Sequence, residues 1–206
     1  MITVHHLNES RSQRILWLLE ELKEPYEIKF YSRDPVTRLA PPELAAIHPL
    51  GKSPVITDGD KVIIESGAIV DYLIRHYGDQ SLQPAITSQA YDTYQQWLHY
   101  AEGSAMLPLL LKLYVGRLGD AGAPLSPRIN GEIANHLGYI DRALGNQQWL
   151  LGDHMSGADI QVSFVGEAAR GARANFPNLD AWVKRFQARD AYKRAIVRGG
   201  VYSFAT

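Results

Sequence analysis

Among the features of this sequence, the order of strand-like and helix-like segments at its start most restricts the folds that the chain can adopt. The apolar pattern is that of a strand over Ile2–His5, of a helix over Arg14–Leu22, and of a strand again over Tyr26–Phe30. A strand, a helix and a strand within about 30 residues predict a βαβ unit with parallel strands. The front of the chain is therefore predicted to be an α/β fold.

The segments that follow extend this sheet. We predict a short helix over Glu43–Ile47, strands over Val55–Thr57 and Val62–Ile64, and a helix over Glu65–Tyr77 that ends at Gly78. The turn residues between the two strands favour a hairpin. The order βαβ, α, ββ, α predicts a four-stranded mixed sheet covered by helices.

Strand signals stop at Gln83, and helical periodicity continues from there. The predicted helices are Thr87–Leu118, Pro127–Leu144, Gly157–Arg173 and Leu179–Ala188, with a shorter turn at Tyr192–Val197. An α/β front followed by an all-α rear predicts two domains, which we place at residues 1–78 and 85–206.

Charge and composition exclude several classes of partner. Lys and Arg number 21 against 22 Asp and Glu, so the chain has no excess positive charge with which to bind a nucleic acid. No segment approaches the roughly 18 apolar residues that a membrane span needs, and no targeting segment is apparent. We therefore expect a soluble, cytoplasmic protein that binds neither nucleic acid nor membrane.

The chain contains no cysteine, which excludes disulfides, cysteine nucleophiles and cysteine-ligated metals. His5 and His6 are adjacent on a strand and point to opposite faces, so we expect no metal site there. No phosphate-binding glycine motif is present, and nucleotide binding lacks support. Any sulfur chemistry would need a sulfur that a ligand supplies.

Ser10 follows the first predicted strand, at the edge of the sheet where open α/β folds bind ligands. With Gln13 three residues later it also fits a capping box, in which its hydroxyl would cap the first helix. The two roles are compatible, because the N-terminus of a helix also favours an anion.

Glu65 and Ser66 stand at another strand-to-helix junction and allow the same two interpretations. Ser66 would be the N-cap of the helix, with Glu65 merely exposed. Alternatively, the Ser66 hydroxyl and the helix N-terminus would hold a carboxylate while Glu65 pairs with an ammonium group. A ligand with an amino-acid end would satisfy both residues.

In the rear half, Ser156 and Asp159 also form a capping-box pattern, and there we predict a structural role alone. The helix that carries Trp97, Tyr100 and Tyr114 is predicted to belong mainly to the core, with a part lining a cleft.

Four motifs carry a family resemblance: SRSQRILWLLEEL, HPLGKSPVI, ESGAIVDYL and SGADI. In this order and spacing they resemble the cytosolic glutathione transferases of the bacterial and fungal kind, over nearly the whole chain. The resemblance implies an N-terminal thioredoxin-like domain that binds glutathione and an all-helical C-terminal domain with a hydrophobic co-substrate site. It further implies a homodimer that acts in detoxification, with glutathione as co-substrate and no bound cofactor.

For the thiol, the resemblance implies a serine-type enzyme in which Ser10 activates the sulfur, with Arg14 four residues on. No tyrosine follows the first strand, where tyrosine-type relatives have theirs, and the absence of cysteine excludes the cysteine-type classes. Ser12 and Asn8 lie close to Ser10 and are alternative partners for the sulfur.

For the rest of glutathione, the resemblance implies that Lys52 binds the glycyl carboxylate and that Ser53, before a cis Pro54, pairs with the cysteinyl backbone. Glu65 and Ser66 would hold the γ-glutamyl end.

The resemblance places a small hydrophobic electrophile in the helical domain, with Tyr100, Ser104, Leu107 and Tyr114 as candidate lining residues. The implied reaction is attack of the glutathione thiolate on that electrophile. Two alternatives stay open: another glutathione-dependent reaction, such as peroxide reduction, dehalogenation, isomerisation or thiol exchange, or a non-catalytic binding protein on the same scaffold. The presence of Lys52, Glu65 and Ser66 favours an enzyme.

Overall fold

The computed structural model describes residues 1–79 and 81–205. The chain forms two compact units, one from Met1–Leu82 together with Phe186–Thr206, the other from Gln83–Arg185. The sequence prediction instead gives everything after residue 85 to the rear domain. Its boundaries, 1–78 and 85–206, stay a prediction. Residue 206, and residue 80 between the two predicted domains, lie outside the described part of the chain.

The first unit is built on a four-stranded mixed sheet in the order β2-β1-β3-β4. Its elements are β1 (Ile2–Leu7), α1 (Gln13–Leu22), β2 (Tyr26–Tyr31), α2 (Glu43–Ile47), β3 (Val55–Asp58), β4 (Lys61–Ile64) and α3 (Ser66–Tyr77). Strand β1 pairs parallel with β2 and antiparallel with β3, which pairs antiparallel with β4. The predicted thioredoxin-like order, βαβ-α-ββα, is confirmed.

The second unit is helical, as predicted, apart from an isolated bridge between Trp149 and Gly152. Its helices are α4 (Gln89–Tyr100), α5 (Met106–Gly116), α6 (Ser126–Leu144), α7 (Gly157–Ala168), α8 (Arg170–Arg173) and α9 (Pro177–Gln187), of which α9 runs on into the first unit. A π-helical turn over Ala101–Ala105 joins α4 to α5, and a 3-10 helix over Gly119–Leu125 joins α5 to α6.

The last helix, α10 (Asp190–Gly199), packs along α1 inside the first unit. The fully buried Trp17 stacks on Phe186 with ring centroids 5.2 Å apart and meets Tyr192 edge-on at 5.6 Å. Arg189 donates to both carboxylate oxygens of Glu21, at 2.5 and 2.8 Å. The apolar face of α1 is therefore covered by residues from the far end of the sequence, which burial of large aromatic side chains stabilises.

Helix α7 is the centre of the second unit and is buried from Gly157 to Glu167. It begins with the predicted capping box: Ser156 caps the helix, and Asp159 bonds back to the Ser156 backbone N–H at 2.9 Å. Gly166 allows α9 to approach, because a Cβ there would lie only 2.8 Å from Val183. None of the described helices is long and apolar enough to cross a membrane.

Candidate active site

The carboxyl ends of β1 and β4 and the start of β3 meet at one edge of the sheet. Val55, the first residue of β3, pairs with His5 of β1 and with Ile64 at the end of β4. The segments next to these strand ends carry most of the candidate glutathione residues: Ser10 after β1, Ser53 and Pro54 before β3, and Glu65 and Ser66 after β4. Ligands of open α/β sheets bind at such an edge.

Ser10 is buried, at 3% exposed, and begins a chain of hydrogen bonds. Its Oγ accepts from the Ser12 N–H at 3.2 Å and lies 2.8 Å from the Ser12 Oγ. The Ser12 Oγ lies 2.9 Å from His6 Nδ1 and 3.3 Å from the Leu7 carbonyl. On the far side of its ring, His6 Nε2 lies 3.1 Å from the Gly199 carbonyl. These hydrogen bonds thus link the loop after β1 to the end of α10.

The capping box predicted for Ser10 and Gln13 is wrong. Helix α1 begins at Gln13 after Ser12, and the Ser10 hydroxyl accepts from Ser12, two residues on, rather than from the helix. The Gln13 amide atoms have no hydrogen-bond partner in the part of the chain that the structure describes. A serine that bonds two residues ahead forms a local turn that competes with capping.

The loop between β1 and Ser10 is held on both sides. Arg33 donates its backbone N–H to Asn8 Oδ1 at 2.8 Å and its side chain to the carbonyls of Asn8 and Glu9. The Glu9 carboxylate accepts from the backbone N–H and the hydroxyl of Ser203. Glu9 has a positive φ of 53°, which these contacts hold in place. Ser10 therefore stands on an anchored loop.

The start of β3 carries the second group of candidate residues. The Ser53–Pro54 peptide bond is cis, as the resemblance implies, and Ser53 donates its hydroxyl to the His5 carbonyl at 3.1 Å. Lys52 is exposed, and it has no ion pair with any residue in the ranges 1–79 and 81–205. Its charge is available to an anionic ligand.

The junction between β4 and α3 differs from the prediction. The N-cap of α3 is Glu65, with φ 63° and ψ 117°, and Ser66 is the first helical residue, so the assignment of Ser66 as N-cap is wrong. Ser66 is 3% exposed and accepts from Arg14 Nη2 at 2.7 Å, while Glu65 is exposed. A non-glycine residue at such a φ costs about 1–3 kcal/mol and is found often at functional sites.

Burial controls the protonation of the two histidines on β1. It lowers the pKa of His6, and the hydrogen bond to the Gly199 carbonyl acts in the opposite direction. It also lowers the pKa of His5, with a further contribution from the charge of Lys29. On the opposite face, His5 Nδ1 lies 2.9 Å from the Tyr31 hydroxyl. Within the described ranges, His, Asp and Glu side chains form no cluster that could hold a metal ion.

The predicted co-substrate residues lie in the second unit and have different surroundings. The Tyr100 hydroxyl lies 2.9 Å from His136 Nδ1. Tyr100 also lines a cavity of about 370 Å³, together with Trp97, His136 and Tyr139. Burial raises the pKa of Tyr100, with a further contribution from Tyr139. Ser104, Leu107 and Tyr114 do not line this cavity. Leu107 and Tyr114 are 55% and 56% exposed on α5.

Ser104 lies in the π-helical turn, which divides the single helix predicted over Thr87–Leu118. Pro108 has no N–H to donate to the Ser104 carbonyl four residues earlier, and the Met106 N–H instead reaches the Ala101 carbonyl, five residues back. Turns of this kind occur frequently at functional sites.

Sequence reasoning missed the contacts of His6, Arg33 and Gly199. The histidine was considered only as a metal ligand, and its partner Gly199 lies 193 residues away. No local pattern indicates either contact.

Comparison with known proteins places this architecture. Residues 1–75 match the family model "Glutathione S-transferase, N-terminal domain", and residues 104–190 match "Glutathione S-transferase, C-terminal domain". The chain is 36% identical to Glutathione S-transferase 3 of Schizosaccharomyces pombe, over 95% of this chain and 86% of that protein. It is 32% identical to Glutathione S-transferase 1 of Saccharomyces cerevisiae, over 93% and 92%.

A crystal structure of a glutathione S-transferase from Actinobacillus pleuropneumoniae superposes with a TM-score of 0.91 at 34% identity, covering 99% of this chain and 95% of that one. These matches span both compact units. The chain belongs to the glutathione S-transferase family.

Proposed function

We propose that Ser10 of this glutathione transferase activates the glutathione thiol for attack on a hydrophobic electrophile. The observation that carries the proposal is the 2.7 Å contact from Arg14 to Ser66. It joins the helix that follows Ser10 to the start of α3. A thiol site and an amino-acid site are thereby linked within one unit, as a single peptide ligand requires.

The γ-glutamyl end of glutathione would bind at the start of α3. Its carboxylate would meet the Ser66 hydroxyl and the backbone N–H groups of the first turn, where the helix dipole favours an anion. Arg14 adds a positive charge at this point. The ammonium group would pair with the exposed carboxylate of Glu65.

The other end of the tripeptide would extend along the start of β3. Ser53 would pair through its backbone with the cysteinyl residue, in the manner of an added strand. Lys52 would then meet the glycyl carboxylate, which its exposure and its lack of an ion pair with the described residues support.

Thiol activation requires a donor that faces the sulfur. A cysteine thiol has a pKa of about 8.5, and the thiolate is the reactive form. A hydroxyl that donates to the sulfur favours the thiolate, and a downward shift of about 2 pKa units corresponds to roughly 2.7 kcal/mol. Ser12 contacts His6 and Asn8 contacts Arg33, whereas Ser10 is at the end of its series of hydrogen bonds, which favours Ser10 as the residue that meets the sulfur.

Tyr100, Ser104, Leu107 and Tyr114 stay our proposal for the co-substrate site. The exposure of Leu107 and Tyr114 supports binding of an apolar molecule. We also propose a cytoplasmic homodimer that acts in detoxification. Light scattering at micromolar concentration would test the dimer, and the mass of a single chain would contradict it.

The test of function is conjugation of glutathione to an activated aryl chloride. Ser10→Ala should lower kcat/KM at neutral pH roughly 100-fold, as removal of one positioned donor does elsewhere. Ser126→Ala, an exposed serine at the start of α6, is the matched control and should keep full activity. An unchanged kcat/KM in Ser10→Ala would assign activation of the thiol to Ser12 or Asn8 instead. If the unaltered protein does not conjugate glutathione, the proposed function is refuted.

Glutathione binding is tested separately by calorimetry. Lys52→Gln should weaken binding several-fold, whereas Lys193→Gln, which removes another exposed positive charge from α10, should not. Equal affinities in the two variants would contradict the proposed carboxylate site.

A further inference from the structure

The hydrogen bonds that link Ser10 to His6 have one consistent direction when the imidazole is neutral. The Gly199 carbonyl can only accept, so His6 Nε2 carries the proton and Nδ1 is left as an acceptor. Ser12 then donates its hydroxyl to Nδ1 across 2.9 Å. Donation to the Leu7 carbonyl at 3.3 Å would instead leave a buried Nδ1 without a donor, which is costly.

The same logic extends to Ser10. Because the Ser12 hydroxyl proton is directed at His6 Nδ1, the Ser12 Oγ accepts from the Ser10 hydroxyl across 2.8 Å. The Ser10 Oγ accepts from the Ser12 N–H at 3.2 Å and retains one lone pair. At the Ser10 end of this series of hydrogen bonds, the Ser10 Oγ is therefore an acceptor, and a thiol placed there would donate its S–H to it.

We infer that His6 receives the proton of the glutathione thiol through Ser10 and Ser12. This inference rests on the proposed function of Ser10. In the transfer, the S–H bond breaks as a new O–H bond forms on Ser10. The original Ser10 proton passes to Ser12, and the original Ser12 proton passes to His6 Nδ1. The products are a thiolate and an imidazolium, and the Ser10 hydroxyl now donates to the sulfur.

The surroundings of His6 suit a transient cation. Its Nε2–H points at the Gly199 carbonyl, the last residue of α10, and the negative end of a helix dipole stabilises a histidine cation. Burial opposes the charge: His6 is 2% exposed, and its pKa is lowered. The reference pKa values of imidazole and thiol, about 6.5 and 8.5, already disfavour transfer roughly 100-fold. The imidazolium is therefore short-lived, and once the sulfur has reacted its proton returns through Ser12 and Ser10 to the leaving group.

Within the described residues, burial and the Gly199 carbonyl are the causes of the His6 pKa shift, and no charged group is among them. From β2, the ring of Phe30 meets His6 edge-on at 5.8 Å. The nearby titratable groups are engaged elsewhere: His5 and Tyr31 with each other, Lys29 with His5, Glu9 with Ser203, Arg14 with Ser66, and Arg33 with the Asn8 and Glu9 carbonyls. The pH dependence of thiol ionisation should thus report the His6 path.

The first experiment compares His6→Asn with Ser12→Ala. Asparagine offers an oxygen to Ser12 but takes no proton, and alanine interrupts the path. Each variant should bind glutathione yet lose at least tenfold in kcat/KM at pH 6.5, with the loss shrinking as the pH rises above 8.5. The double variant should be no worse than either single one, because the two residues act as a unit. Unchanged pH profiles, or losses that multiply, would overturn the inference.

His5→Asn is the matched control, since His5 is the neighbouring buried histidine with a lowered pKa and its side chain lies on the other face of β1. Its pH profile should match that of the unaltered protein. If His5→Asn reproduces the loss, the effect is structural and the inference is wrong.

The unaltered protein supplies a test that no folding defect affects. Conjugation of glutathione to the aryl chloride, at saturating concentrations of both, should slow in D2O. In mixtures of the two solvents its rate should curve downward between the two pure solvents, because several protons move together. A linear dependence would contradict the relay. Failure to conjugate glutathione in either solvent would instead refute the proposed function, and the two failures are therefore distinguishable.

Discussion

Serine stands at the start of a helix in both units, but the hydroxyl is used differently in each. In the second unit, Ser156 caps α7 and exchanges bonds with Asp159 in a closed box. In the first unit, Ser66 bonds to Arg14 of another helix, and Ser10 bonds to Ser12 and from there to His6. The Ser156 hydroxyl thus caps its own helix, whereas the Ser66 and Ser10 hydroxyls contact side chains outside α3 and α1.

The carboxylates of the two regions differ in the same way. Asp159 is fully buried and accepts from the Leu150 N–H, the Ser156 N–H and the Trp182 indole N–H, at 2.9–3.0 Å. Burial raises the pKa of Asp159, and these donors act in the opposite direction. Glu65 is exposed and has no ion pair with a described residue. The Asp159 carboxylate therefore stabilises the fold, whereas the Glu65 carboxylate is exposed to a ligand.

The largest effect should come from Asp159→Ala. It removes the carboxylate that accepts from four buried donors, the Leu150 and Ser156 N–H groups, the Ser156 hydroxyl and the Trp182 indole N–H. We therefore expect a loss of about 4 kcal/mol in the free energy of unfolding. Urea denaturation measures this loss. Asp153→Ala, in the exposed part of the preceding loop, is the control and should lose less than about 0.5 kcal/mol. Similar losses in the two variants would break the comparison.

Ser156→Ala and Ser66→Ala should separate stability from binding. Ser156→Ala should cost about 1 kcal/mol of stability, as loss of an N-cap does, and leave glutathione affinity unchanged. Ser66→Ala should cost a similar amount, because the Arg14 bond is lost, and should also weaken glutathione binding roughly tenfold. Calorimetry and denaturation on both variants give the result. Equal glutathione affinities would remove the distinction between the two serines.

The smallest effect should come from Glu65, whose positive φ favours glycine. Glu65→Gly should leave stability unchanged or raise it by up to about 1 kcal/mol, while glutathione affinity falls several-fold. Glu65→Gln retains the backbone strain and should lose affinity alone. A stabilised Gly variant with full affinity would show that the carboxylate has no part in binding.

The sequence predicted best what depends on neighbouring residues. The capping box of Ser156 and Asp159 was found because both bonds lie within four residues. Strand and helix order in the first unit was likewise predictable, since the apolar period changes from element to element. A short helix was predicted near Glu43–Ile47, where α2 lies.

What the sequence did not reveal depends on distant partners. Ser10 and Gln13 satisfy the same capping pattern, yet the box does not form, because the loop is held by Arg33, His6 and residues near Gly199. The contact of Arg14 with Ser66 joins residues 52 apart in the chain. A count of apolar periodicity does not register the π-helical turn over Ala101–Ala105, which divides the predicted helix.

The packing of α10 against α1 has a consequence for how the protein is made. Residues 1–82 leave the ribosome well before residue 186 is added, because the whole second unit is encoded in between. At about 5–20 residues per second this interval is on the order of 5–20 s. During that time Trp17 lacks Phe186 and Tyr192, and His6 lacks the Gly199 carbonyl. In the nascent first unit the apolar face of α1 therefore lacks these aromatic partners, and the hydrogen bonds that join Ser10 to the end of α10 form only after Gly199 has been synthesised.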